Sequence, residues 1–258
     1  MSLNQEQKDK IVNVIIESVR KKLARYNPES KYMPFHYRLL GKDRMALYSF
    51  IQSLKTTFIT SIFEPVAQAI AEENYKIAVK QYNVGNEITD LAQQEIHHII
   101  NELSVGNILS NKKQEIERIR TVATEGKVNR LKTAKVDLYL EDYGGKIYLF
   151  DLKTVKPNIG EFKSYKRTLL EWIAILLYKN PDAQVNSYIA MAYNPYYPKP
   201  YERWTLKGML DIENELLIAE EFWNFLGKDN IFDQLLDCFS IAGNKLRPEL
   251  DRFFAKFK

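Results

Sequence analysis

Apolar positions along this chain follow two different rhythms, and the change between them divides it. Through the first third they recur at helical spacing. Ile11, Val14, Ile15, Val19 and Leu23 predict an amphipathic helix closed by Tyr26-Asn27-Pro28-Glu29-Ser30, and a polar, aromatic loop through Met33-Pro34-Phe35-His36 follows. Leu47, Ile51, Leu54, Phe58 and Ile62 predict a second helix that runs into Glu64-Pro65. The proline is expected to start or kink a third helix through Ala69 and Ile70, because it lacks the N–H that a helix interior uses. From Glu87 to Leu103 the pattern repeats with Ile88, Leu91, Ile96, Ile99 and Leu103. Stripes of this kind are core faces.

The period then shortens to two. Lys135 to Leu140 and Ile147 to Thr154 alternate as half-buried strands do, and Gly144-Gly145 supplies the backbone freedom of a tight hairpin. A loop at Lys156-Pro157-Asn158-Ile159-Gly160 leads to a helix over 161–178, whose buried face is Phe162, Tyr165, Leu169, Trp172 and Leu176. A strand over 185–193 completes a strand, crossover helix and strand unit, which places the helix against one face of a mixed sheet. Leu216-Leu217-Ile218 reads as a short strand or a helix start, and the tail returns to helices through Phe222-Trp223, Leu235-Leu236 and Leu246, Leu250 and Phe254. The expected class is α/β, a mixed sheet flanked by helices with a largely helical N-terminal region. With no internal repeat, low-complexity tract or long linker, 1–258 is expected to form a single domain: 1–110 mainly helical, 120–230 the core and 231–258 a helical tail.

Composition narrows the chemistry. The 258 residues hold one cysteine, Cys238, and three histidines, His36, His97 and His98. A disulfide framework and a Cys-based zinc site are excluded, and adjacent histidines on a helix point about 100° apart, so they do not form a zinc pair. Cys238 reads as a core residue. The sequence has neither a long apolar span nor a secretory leader pattern, so a cytoplasmic protein without a membrane segment is expected. The net charge of +4 permits a polyanionic partner without demanding one.

The hairpin register carries the sharpest statement. If the turn centres on residue 144, Asp137 lies directly opposite Asp151. Opposite residues point to the same face with Cβ atoms ~5 Å apart, and Lys153 shares the face of Asp151. Two carboxylates this close repel unless a cation sits between them. Oxygen ligands of this kind suit Mg²⁺, with Lys153 placed to hold and help deprotonate a water, and the implied chemistry is phosphodiester hydrolysis. Basic residues flank the hairpin. Lys132, Lys135, Lys156, Lys163, Lys166 and Arg167 read as a phosphate track, although the last three also fit a solvated helix face. The proline-rich run Tyr193 to Trp204 is a stiff loop whose Asn194, Tyr196, Tyr197, Lys199 and Arg203 either face DNA or serve the loop's own packing or a dimer contact.

Asp137, Asp151 and Lys153, set in a helix, hairpin, helix, strand order, resemble the PD-(D/E)xK nucleases and their restriction-endonuclease-like core. Val136 stands where that family has its proline, which provides no ligand, and Asp at 151 lies within the pattern. The segment Glu220-Glu221-Phe222-Trp223-Asn224-Phe225-Leu226-Gly227 and the helices after it look like a type II restriction endonuclease family that cuts interrupted GG/CC palindromes. The resemblance implies a prokaryotic homodimer that cleaves double-stranded DNA at a short palindrome with Mg²⁺, or Mn²⁺ as a substitute, beside a cognate DNA methyltransferase. It makes Asp137 and Asp151 metal ligands and Lys153 the residue that positions the attacking water. Glu64 is the candidate for a further acidic residue from an upstream helix, and equally a helix-boundary carboxylate. Two other classes stand beside this one. They are a structure-directed or repair nuclease of the same fold, whose helicase or iron–sulfur companions have no motif here, and a catalytically silent DNA-binding protein, against which the intact trio speaks.

Overall fold

The computed structural model describes residues 2–27, 33–106, 108–153, 161–201 and 208–256, apart from the side chains of 55–57 and 133. The loop expected at 156–160, Lys156 within it and Arg203 lie outside the described residues. Two compact units are present: Met1–Ile70 with Gly227–Lys258, and Ala71–Leu226.

The first unit is helical. It contains α1 (Gln5–Arg25), α2 (Pro34–Leu40), α3 (Lys42–Phe58), a π-helical turn (Ile59–Phe63), α4 (Glu64–Ala71) and, from the C-terminal part, α10 (Phe232–Ala255). α1 opens with a capping box, in which Asn4 accepts from the Gln7 N–H while the Gln7 side chain accepts from the Asn4 N–H. Its buried stripe is Ile11, Val12, Ile15, Ile16 and Leu23. On α3 the expected face is displaced. Met45, Ala46 and Phe50 are buried, whereas Leu47 and Ile51 are 44% and 54% exposed. The helix carries apolar residues on two faces, and the one that packs is the one offering Phe50 to the rings of Tyr26 and Phe254. Cys238, buried and free on α10, is a core residue as expected.

The second unit holds the sheet. Its elements are β1 (Ile77–Thr89), α5 (Asp90–Val105), α6 (Lys112–Val122), β2 (Val128–Glu141), β3 (Ile147–Lys153), α7 (Phe162–Lys179), β4 (Val185–Met191), α8 (Ile212–Glu215), β5 (Leu216–Ile218) and α9 (Glu220–Gly227). Among the described residues the sheet has five strands in the order β1-β2-β3-β4-β5. β1, β2 and β3 pair antiparallel, and β3, β4 and β5 pair parallel, so the sheet is mixed. Helix α7 carries the chain between the parallel neighbours β3 and β4, because parallel strands need a crossover where antiparallel ones need only a turn. Leu216-Leu217-Ile218 resolves as a strand on β4.

Strand β1 corrects the expectation of a helical first third. Its alternation is broken by register shifts on either side of Gly85, which has φ +121°, and Ile88 closes the strand rather than opening a helix. Thr89 then caps α5 by accepting from the Ala92 N–H. Buried residues of α5, including Ile96, Ile99 and Leu103, join Leu169, Trp172 and Ile173 of α7 and Leu149 and Ile189 of the sheet in one core cluster.

The hairpin has the expected register. Leu138 pairs with Phe150, Tyr139 with Leu149, Leu140 with Tyr148 and Glu141 with Ile147, all centred on residue 144. Asp142 holds the turn by accepting from the Gly144 and Lys146 N–H groups, and Gly145 takes φ +81°.

Candidate active site

One step beyond the Leu138–Phe150 pair, Asp137 of β2 and Asp151 of β3 face one another within hydrogen-bonding reach. Neighbouring apolar positions set the strands. Val136 and Leu138 flank Asp137, Phe150 and Leu152 flank Asp151, and all four are buried on the other face. Lys153, two residues along β3, places its Nζ 2.8 Å from Asp151 Oδ1. The Leu152 N–H donates to Asp137 Oδ2 at 2.8 Å, and Gln81 Nε2 of β1 donates to Asp137 Oδ1 at 3.2 Å. Above Lys153, the ring of Tyr165 on α7 lies 4.7 Å from the ammonium and its hydroxyl donates to Glu161.

Burial dominates the electrostatics. Asp151 is 8% exposed, and its carboxyl is pushed up to about 6 by burial and by Asp137, against the pull of Lys153. Asp137 is also raised, by burial first, with the Leu152 N–H and Lys153 opposing. The pair is therefore set to share a positive charge between its oxygens, either a proton or a metal ion. Two hard carboxylates fit Mg²⁺, which takes one or two from protein and keeps several waters. No group of three or more His, Cys, Asp or Glu side chains is gathered to hold a metal among the described residues.

The other expected residues are scattered in role. Lys132 and Lys135 on β2 and Lys163 and Arg167 on α7 are exposed. Lys166 is a correction. It is fully buried, its ammonium bound by Glu115, by Glu215 at 2.7 Å and by Ser110, so it is unavailable to phosphate. Asn194 has an internal role as well, with Nδ2 donating to the Lys199 carbonyl and Oδ1 accepting from the Tyr196 N–H. Tyr196 packs near Tyr201, with ring centroids 5.7 Å apart, whereas Tyr197 and Lys199 are exposed. Glu64 sits at the start of α4 in the helical unit, 1% exposed.

Sequence reasoning missed Gln81, Tyr165 as a partner of Lys153, and a buried ionic cluster. In that cluster Lys112 bonds Glu215 at 2.8 Å and Ser187 at 2.6 Å, while Lys166 bonds Glu115 and Glu215. Gln81 carries no distinct sequence signal, since Lys80 and Asn83 beside it are polar as well.

A mixed sheet flanked by helices, with paired acids and a lysine on its central hairpin, is a restriction-endonuclease-like core. The protein family described as "Type II restriction endonuclease, HinfI" matches residues 3–243, and the chain belongs to it. It is 30% identical over 279 residues to the type II restriction enzyme MjaII of Methanocaldococcus jannaschii, covering 95% of this chain and 73% of the relative. It is 26% identical over 239 residues to HgiCII of Herpetosiphon aurantiacus, covering 89% and 84%, and 26% identical over 214 residues to HgiEI of the same organism, covering 81% and 77%. Among the described residues no helix is long and apolar enough to cross a membrane.

Proposed function

We propose that this chain cuts double-stranded DNA at a specific short palindrome, an interrupted GG/CC sequence by the likeness of its tail, and that it does so as a homodimer with Mg²⁺ or Mn²⁺ held by Asp137 and Asp151. Membership of a type II restriction endonuclease family supports the reaction class. The observation that carries the residue roles is the meeting of Asp137, Asp151 and Lys153 on one face of the hairpin. When bound, the metal supplies Lewis-acid stabilisation of charge at the scissile phosphate.

The chain's own groups do the rest. Asp151 accepts from Lys153 and so fixes the ammonium beside the carboxylate pair. From there Lys153 donates to the attacking water and orients it for in-line displacement. Burial of Asp151 keeps bulk water away from its oxygens, which strengthens every charge interaction made there. Lys132, Lys135, Lys163 and Arg167, all exposed, grip backbone phosphates, and the loop bearing Tyr197 and Lys199 faces the duplex. A two-fold symmetric target calls for a two-fold symmetric enzyme, and protection of host DNA calls for a methyltransferase of the same specificity.

Digestion of a plasmid of mixed sequence with Mg²⁺, with EDTA, and by the Asp151→Ala protein tests this reading. Discrete fragments that need Mg²⁺ and disappear in Asp151→Ala are expected. A Mg²⁺-dependent smear would replace site-specific cleavage with structure-directed cleavage, and intact plasmid under varied metal and salt would overturn the assigned roles.

A further inference from the structure

The geometry points to Gln81 as a positioning residue that clamps Asp137 in the orientation needed to hold a divalent cation; this rests on the nuclease reading above. Lys80 pairs with Leu138 and Tyr82 with Val136, which sets Gln81 opposite Asp137 on β1. Asp137 in turn lies opposite Asp151, so three polar residues cross three adjacent strands in one row. The backbone at Gln81 is unusual. Its φ is +52°, in the left-handed region that residues other than glycine rarely adopt, and it lies in a strand that is at the sheet edge among the described residues and is bulged a few residues further on. Strain of this kind concentrates at working sites.

The strained residue donates to Asp137. Gln81 Nε2 reaches Asp137 Oδ1 at 3.2 Å while the Leu152 N–H reaches Oδ2 at 2.8 Å. Each carboxylate oxygen thus has a donor fixing it, and the two together hold the carboxylate plane. A neutral amide suits that task. A lysine here would supply the positive charge that the acid pair reserves for a metal, and a glutamate would add a third negative charge.

Gln81→Ala and Gln81→Gly in the full chain separate this role from a structural one. Glycine relieves the positive φ, so Gln81→Gly is expected to melt at or above the wild-type temperature. Both variants are expected to bind Mn²⁺ 10–100-fold more weakly, read directly from the paramagnetic resonance of the free ion, as happens when a partner that orients a metal ligand is removed. DNA binding in EDTA should stay within about twofold of wild type, and cleavage should recover as Mg²⁺ is raised. If the wild type binds Mn²⁺ and cuts DNA while Gln81→Gly binds Mn²⁺ equally well, Gln81 has no such role and the nuclease reading stands. If the wild type neither binds Mn²⁺ nor cuts DNA, both fall.

Discussion

Two of the charge clusters in the sheet unit are built on opposite plans. In one, Lys112 and Lys166 meet Glu115 and Glu215, two positive against two negative, with Ser110 and Ser187 taking up remaining donors and the Asp211 N–H donating to Glu215. All four charged residues are buried. Burial alone raises Glu215, but the two lysines outweigh it and hold the carboxyl below its ordinary value. In the other, Asp137 and Asp151 share Lys153, and both carboxyls rise. The balanced cluster is closed to further ligands and ties α6, α7 and α8 to β4. In the unbalanced one a single ammonium faces two carboxylates, and an excess of negative charge in the middle of a sheet is what the proposed metal would use.

The largest effect should come from unbalancing the closed cluster. Lys166→Met leaves Glu115 and Glu215 buried with one lysine fewer, and a loss of about 3–5 kcal/mol in urea unfolding is expected. A loss below about 1 kcal/mol would mean that water already screens the cluster. Replacing all four groups together, with Met for the lysines and Leu for the glutamates, should return most of that stability, since no charge is then left without its partner. The folded quadruple variant should still cut DNA, which separates a scaffold role from a catalytic one.

Removing a charge from the open cluster should act in the reverse direction. Asp151→Asn takes away a carboxylate that is costly to ionise where it sits, so the metal-free protein is expected to gain about 1–3 kcal/mol while cleavage is lost. Lower stability in EDTA would show that Asp151 is held chiefly by Lys153 and is not strained by burial. A gain in folding with a loss of chemistry is what distinguishes a site from a scaffold.

These two clusters also differ in how far the sequence revealed them. Asp137 and Asp151 could be read because a short hairpin brings them together, and its turn residues and period-two alternation are local signals. Lys166 reads as part of a basic helix face because Lys163 and Arg167 are its neighbours, and those two are exposed. Its true partners, Glu115 and Glu215, lie 51 and 49 residues away, where no spacing rule reaches. Gln81 is 56 residues from Asp137, on a strand whose bulges erased its alternation. The parallel pairing of β3 with β4 is legible from the helix between them, whereas that of β5 is not, since Leu216-Leu217-Ile218 reads equally as a helix start. The face that α3 buries was not, since both of its faces are apolar and only packing chooses between them.

The finest discrimination is in the response to acid. Asp151 has a folded value near 6 against an ordinary 3.8, so its ionisation opposes folding. The penalty is fully present above pH 6 and disappears as pH falls towards 3.8. Relative to Asp151→Asn, the metal-free wild type should therefore gain stability through that window, by no more than about 1.4 kcal/mol per pH unit. Glu215 has the opposite sign. Its folded value lies below the ordinary 4.5, so its contribution is complete above that pH and is lost as pH falls through the depressed value. Relative to Glu215→Gln, the wild type should lose stability below about pH 4.5. Chemical unfolding of the three proteins in EDTA between pH 3 and 7 measures both slopes. Slopes of the same sign would mean that the two clusters are one electrostatic network, and the separation between scaffold charge and site charge would be lost.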